Sequence, residues 1–437
     1  MSLTTKVIKS IEDLKDHILT GSPSFYMSSR TSTVIPYEKI EEFFKEDITL
    51  VDLSHMPAHM EINNSGNLIV RGGVSWKDAR EYLRDKGHNI MTSPTEELAL
   101  ILAGVATSCT GERCFCFGNL RSQIVSLKYL NHKGEEKTLT QKDLTYDFLE
   151  QYQNEFKHYA DYKNAPYPRF EKEIDLMIGT EGQLGVITEV ELKIVPDYPL
   201  KHFFMLVPKW EEDLSAHLEI NKKIQKHRED VLLCELVDSN SFTYLPAEDR
   251  PNKGLDAIFF EIKESYFETF YEEFLLKLEH ISEENIFEIS ETRFHNLRAS
   301  IPRAVFEANS RMGVVKVGTD IQVQTTQFED LMRAYQELTK AGVDYNLFGH
   351  FGDQHLHFNF MPTPEKVKEC EEHFQKLYKK IAQLKGSPFA EHGIGILKQK
   401  YIQNFWSETQ PEVFHKLKAL HDPKAQFFPG GFMGLGR

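Results

Sequence analysis

The stretch Gly349-His350-Phe351-Gly352-Asp353-Gln354-His355-Leu356-His357-Phe358-Asn359 constrains the fold more than any other part of this chain. It reads as a turn running into a strand. Gly349 and Gly352 permit backbone angles that other residues resist, and Gly-Asp marks a turn. From Gln354 onward the residues alternate: His355, His357 and Asn359 fall on one face, Leu356, Phe358 and Phe360 on the other. The apolar face belongs in a core, so the opposite face carries two imidazoles and an amide. His350 lies seven residues before His357, the wrong parity for one straight strand, and the turn at Gly352-Asp353 can bring it back.

Imidazole nitrogen suits zinc, copper, iron and nickel, and a carboxylate commonly completes a catalytic site that keeps an open position. Downstream, Ala390-Glu391-His392-Gly393-Ile394-Gly395 supplies a carboxylate and another imidazole in a glycine-flanked loop. His350, His357 and Glu391 are therefore candidate ligands for one divalent ion. Separate core or surface histidines account for the same spacing, and spacing alone leaves the two readings level.

The chain of 437 residues is long enough for two or three domains with full cores. A net charge of −15 argues against a nucleic-acid partner and requires a local basic pocket for any anionic substrate. No apolar run of the length of a membrane span occurs, and Met1-Ser2-Leu3-Thr4-Thr5-Lys6 lacks the apolar core of a leader. The five cysteines are an odd number, and the Cys114-x-Cys116 pair has no second pair to make a metal cluster, so they read as reduced thiols of a cytoplasmic protein.

Three loops stand out in the first half. Ser28-Ser29-Arg30-Thr31-Ser32 follows a short apolar strand. Residues 93–118 include Pro94, Thr95, Thr107 and Ser108, with Gly104, Gly111 and Gly118 placed where a backbone could approach a flat ligand. Tight helix packing explains those glycines equally well. Gly179-Thr180-Glu181-Gly182-Gln183-Leu184-Gly185-Val186-Ile187 runs into a strand with Val186, Thr188, Val190, Leu192 and Ile194 on the inward face and Glu189, Glu191 and Lys193 on the outward one. It is neither a dinucleotide fingerprint nor a P-loop, because a strand follows it and no Gly-Lys-Ser/Thr is present. From Tyr198 onward, strands at 203–207, 231–237 and 257–262 alternate with amphipathic helices at 216–224, 268–278, 328–338 and 367–384, an α+β pattern.

Residues 349–359, Glu391-His392-Gly393-x-Gly395, and Asp422-Pro423-Lys424 with Pro429-Gly430 resemble, in order, three motifs of the FAD-dependent D-2-hydroxy acid dehydrogenases. That family holds the D-lactate and D-2-hydroxyglutarate dehydrogenases and the glycolate oxidase flavin subunit. Gly179–Ile187 likewise resembles a loop of the vanillyl-alcohol-oxidase (PCMH) type of FAD domain. The resemblance covers essentially the whole chain.

It implies an α+β fold: a two-subdomain FAD-binding domain over residues 1–197, then an α+β cap over 198–437 carrying substrate and metal. The cofactor contacts implied are Ser28, Ser29, Arg30, Thr31, Ser32, Pro94, Thr95, Gly104, Thr107, Ser108, Gly111, Gly118, Gly179, Thr180, Glu181, Gly182, Gly185, Val186, Ile187 and Asn359. The implied metal ligands are His350, His357 and Glu391, with zinc the leading ion. His392 is the implied base, and Arg298 and Lys316 the implied anchors of a substrate carboxylate, a pairing that suits a forked guanidinium. The implied reaction oxidises a small anionic D-2-hydroxy acid to its 2-oxo acid, with hydride passing to flavin N5. The electron acceptor would be a quinone, an electron-transfer flavoprotein or a cytochrome. A homodimer and a peripheral place at a membrane are compatible with this reading.

Four departures from the family pattern are visible. The first loop is poor in glycine and holds no histidine, so FAD is expected to be non-covalent. Gln324 stands where proline is frequent, Phe428 where asparagine is frequent, and His355 where many members have asparagine. Two rival readings are a non-redox transferase like alkylglycerone-phosphate synthase and a binding homologue without flavin.

Overall fold

The computed structural model describes residues 3–44, 47–251 and 254–435, so the first two residues of the N-terminal reading above lie outside the described residues. The chain forms two compact units that are interleaved in sequence. The first comprises Met1–Gly111, Asn119–Asp197 and Glu391–Arg437; the second comprises Glu112–Gly118 and Tyr198–Ala390.

In the first unit, the strands Leu3–Val7 and Ser24–Met27 flank Ile48–Asp52 in a small parallel sheet. Phe25, Met27, Ile48 and Leu50 bury their side chains with Val34, Ile40 and Phe428, so a C-terminal residue completes this core. Phe428 also donates its backbone N–H to Ser24 O at 2.8 Å. A five-stranded antiparallel sheet follows in the order 59–62, 68–71, 186–192, 124–130, 136–140. Its central strand, Val186–Leu192, buries Val186, Thr188, Val190 and Leu192 as the alternation predicts, and leaves Glu189 and Glu191 half-buried, Glu189 against Arg71 and Lys128 and Glu191 against Asn63, Asn67 and Ser126. Ile194 does not continue that face: it begins a separate strand, Ile194–Pro196, and is half-buried.

The second unit is built on an antiparallel sheet in the order 286–288, 200–207, 256–263, 231–237, 345–350, 355–360, with the short strands 317–318 and 321–322 both pairing to the last of these. The expected helix at 268–278 is shorter, Phe267–Glu273, and is followed by a separate tight turn at Leu275–Lys277. One helix, Glu291–Arg311, has no counterpart in the sequence reading. Pro302 lies inside it, and a proline usually argues against a helix interior. Phe294, Leu297, Ile301 and Val305 nevertheless line one face at helical spacing and pack on Leu233, Val237, Phe259 and Phe348 of the sheet. Burial of this stripe outweighs the proline.

Among the described residues no helix is long and apolar enough to cross a membrane. All five cysteines are unbridged.

Candidate active site

The strands Tyr345–His350 and His355–Phe360 form a hairpin in which His350 stands directly opposite His355, and Phe348 opposite His357. The tight turn Phe351–Asp353 joins them, and Gln354 takes the left-handed conformation at φ +54°. Gly349 needs its glycine for φ +142°. Gly352 needs it for space, because a Cβ there would meet the Phe115 ring at 2.8 Å. Asn221 clamps the turn by donating to Phe351 O at 2.7 Å, and Gln225 by donating to Gly352 O at 3.0 Å. The hairpin thus returns His350 to the face of His355, His357 and Asn359.

That polar face is as buried as the apolar one: His355 and Asn359 are fully enclosed, and His350 and His357 nearly so. Buried imidazoles need partners. His350 Nδ1 lies 2.8 Å from Glu235 Oε1. His355 Nε2 lies 2.8 Å from Asp320 Oδ1, and His357 Nδ1 donates to Thr319 O at 3.1 Å. Asn359 donates to Asn346 Oδ1 at 2.9 Å and keeps its own Oδ1 buried without a partner.

Glu235 was not singled out in the sequence, although the signal was there. In Val231-Leu-Leu-Cys-Glu-Leu-Val237 it has the parity of Leu233 and Val237, which face the helix Glu291–Arg311. A carboxylate on a core face requires a cation, and Arg298 on that helix supplies it. Nε and Nη2 of Arg298 reach Glu235 Oε2 at 2.7 and 2.6 Å, and Nη2 donates to Glu112 Oε1 at 3.1 Å. Burial favours a protonated Glu235, but Arg298 and His350 outweigh it and hold the carboxyl at about 2. Arg298 Nη1 is buried and has no acceptor. Lys316 lies with its Nζ 5.8 Å from the centre of the Phe348 ring, and Phe348 in turn lies 5.7 Å from His357. The second unit therefore gathers Arg298, Lys316, Asn359 and three histidines on one face of its sheet.

A cation fits this donor set. Each imidazole is oriented on one nitrogen by a carboxylate or a backbone carbonyl, the arrangement that presents the other nitrogen to a metal.

In the first unit, the three loops of the sequence reading meet the Glu391–Gly395 loop. Val34, just past the first loop, accepts from Ile396 N at 3.0 Å and Leu397 N at 3.1 Å. Gly111 of the second loop faces Glu391, whose Oε1 would lie 2.6 Å from an added Cβ. Glu181 of the third loop accepts from Ile394 N at 2.6 Å and Gly395 N at 3.1 Å. Burial pushes the Glu181 carboxyl up to about 7, against the pull of the Gly395 and Ile394 amides and of Lys398. Second and third loops also join directly, through Glu181 N to Ala106 O at 2.8 Å.

These loops suit a ligand rich in acceptor oxygens. Ser29 Oγ is buried without a partner. The backbone is left-handed at Arg30 (φ +57°), Ser108 (+54°), Gly179 (+71°), Glu181 (+54°) and Gly182 (+71°), so each of the three loops turns tightly. Other glycines answer to packing: Gly104 faces Trp76 and Cys109, and Gly185 faces the Tyr129 ring. Gly118, with φ +77°, closes the short helix Cys114–Phe117 of the second unit. Ser28, Thr31, Ser32, Pro94, Thr95, Thr107, Thr180, Val186 and Ile187 lie on or beside the three loops of the first unit, and Thr180 is fully buried with its hydroxyl on Leu176 O at 3.0 Å.

Comparison with known proteins gives the class first. Residues 28–140 match the family model described as "FAD binding domain", so this part of the chain is an FAD-binding domain. Residues 212–431, just over half of the chain, match "FAD linked oxidases, C-terminal domain". The chain belongs to the FAD-linked oxidases.

Among relatives, a mitochondrial D-lactate dehydrogenase (cytochrome) of Kluyveromyces lactis is 25% identical over 82% of this chain and 60% of its own length. A glycolate oxidase subunit of Bacillus subtilis is 25% identical over 58% of this chain and 56% of its own. A D-2-hydroxyglutarate dehydrogenase of Xanthomonas citri is 24% identical over 83% and 75%. The chain thus spans about 60% or less of the first two relatives. A solved structure of an alkyldihydroxyacetonephosphate synthase superposes with a TM-score of 0.66 over 97% of this chain and 75% of that one; at 13% identity it shows the shared fold.

Proposed function

We propose that this protein is an FAD-dependent dehydrogenase that oxidises a small D-2-hydroxy acid, of the D-lactate, D-2-hydroxyglutarate or glycolate class, to its 2-oxo acid. The observation that carries the reading is the buried Arg298 with an open Nη1, set among histidines on one face of the second unit's sheet. The relatives' names support the substrate class. When bound, FAD supplies the two-electron oxidation, and a divalent ion supplies the charge that acidifies a hydroxyl.

The residues divide the remaining work. Arg298 Nη1 and the Lys316 ammonium hold the substrate carboxylate, and Glu235 and Glu112 fix the guanidinium so that only Nη1 is presented. His392 takes the hydroxyl proton. His350, His357 and Glu391 hold the metal, with zinc the first choice of ion. Residues 28–32, 93–118 and 179–187, with Asn359, hold the flavin non-covalently. In this assignment the flavin domain is residues 1–197 and the substrate domain 198–437, with the loop from Glu391 returning to the packing of the first unit. A quinone, an electron-transfer flavoprotein or a cytochrome receives the electrons.

Anaerobic mixing of the purified protein with a panel of D- and L-2-hydroxy acids tests the reading. Flavin absorbance near 450 nm should bleach with at least one D-acid and with none of the L-acids. If no acid bleaches a flavin-loaded protein, the dehydrogenase reading is lost and the non-redox transferase becomes the better account.

A further inference from the structure

His355 is fully enclosed on the polar face of the hairpin, between His350 and His357. Ring centres lie 5.4 Å apart for His350 and His355, 4.7 Å for His355 and His357, and 6.3 Å for His350 and His357. One ring nitrogen from each lies within 4.8 Å of the others. An oxygen lies beside one nitrogen of each ring: Glu235 Oε1 at 2.8 Å for His350, Asp320 Oδ1 at 2.8 Å for His355, and the Thr319 carbonyl at 3.1 Å for His357. A neutral imidazole held at one nitrogen offers its lone pair at the other, which is the form a metal binds. A structural His355–Asp320 pair alone would give no reason for two further oriented imidazoles beside it. Three buried imidazoles, each with a ring nitrogen within 4.8 Å of the other two, form a donor set that suits a cation.

The geometry points to His355 as a third imidazole ligand of the divalent ion, bound through Nδ1 and oriented by Asp320. This rests on the metal site of the proposed function and changes its character. Three nitrogens favour zinc, cobalt, nickel, copper or iron over magnesium, manganese or calcium, which prefer oxygen.

The test uses the full chain, stripped with chelator and reloaded with one equivalent of Co²⁺. X-ray absorption on the wild type should count three imidazoles around the ion; a count of two overturns the assignment and leaves the metal site itself standing. In titrations, His355→Asn should weaken Co²⁺ binding by at least about 100-fold and shift the visible bands, and Asp320→Asn should weaken it by roughly 10–100-fold. A His355→Asn protein with wild-type affinity and spectrum also overturns it. If the wild type takes up no cobalt, nickel or zinc, both this inference and the metal reading beneath it fall.

Discussion

Arg298 grips Glu235 through Nε and Nη2, at 2.7 and 2.6 Å, while Nη1 of the same guanidinium is buried and meets no acceptor. With Glu112 as its second carboxylate, the side chain has little freedom to turn. Phe294 adds to the clamp, its ring centre 5.0 Å from Arg298 Cζ. The entropy of holding an arginine in one rotamer is thus met by folding and not by a ligand.

Arg298→Ala should therefore fail as a fold before it fails as an enzyme. It leaves Glu235 and Glu112 buried with no arginine, a loss of about 3–5 kcal/mol by comparison with broken buried pairs. Adding Glu112→Gln should restore part of it. Urea unfolding of the two variants decides the matter, and a single variant within about 1 kcal/mol of wild type would contradict it.

His392→Ala should behave differently. A base acts mainly in the transition state, so kcat should fall by ~10²–10⁴ while substrate binding hardly changes. Stopped-flow bleaching of the variant at the wild-type rate would show that His392 is not the base.

Glu181 predicts a pH dependence. Its carboxyl titrates at about 7 in the folded chain, above the ordinary carboxylate value, because burial disfavours the charge. A raised value means that the folded state binds the proton more tightly. The associated stability is complete below about pH 4.5 and is lost as pH rises through 7. Glu181→Gln keeps an oxygen for Ile394 N and Gly395 N but carries no charge. Relative to wild type it should gain about 3 kcal/mol between pH 4.5 and 8. A difference in unfolding free energy that stays flat over that range would show that the carboxyl titrates normally.

Gly182→Val should abolish flavin retention. Among the described residues, chain neighbours aside, nothing lies closer to an added Cβ than Gly185 O at 3.9 Å, so the polypeptide leaves room there. The obstacle is φ +71°, which a β-branched residue resists, together with the ligand the loop approaches. The ratio of absorbance at 450 to 280 nm reads the outcome, and an unchanged ratio removes Gly182 from the cofactor site.

Much of this architecture was legible because periodicity was strong. The strand Val231–Val237 has the bounds that the sequence suggested, and the helix Phe328–Thr339 differs by one residue. The histidine face was legible from a parity-two pattern, and the family from three spaced motifs. The charge network was legible only in part. Arg298 was named through the family resemblance while its helix was hidden by Pro302, and Glu235 sits in a strand whose apolar run drew attention away from its single acid. Glu112 was missed because its arginine is 186 residues away, a separation that no local pattern encodes. The reason for Gly352 was also misjudged: a neighbouring ring, Phe115, and not a turn angle, requires it.

The interleaving of the two units bears on how this chain is made. Glu112–Gly118 leaves the ribosome early yet belongs to a body that closes only at Ala390, and the first body waits for Glu391–Arg437. At roughly 5–20 residues per second, Glu112 and Arg113 spend on the order of tens of seconds without the partners they charge-pair with, Arg298 and Glu261. Neither half can be finished before the other is nearly complete, so truncated chains of this protein should be clients of chaperones and proteases, with no stable half-molecule among them.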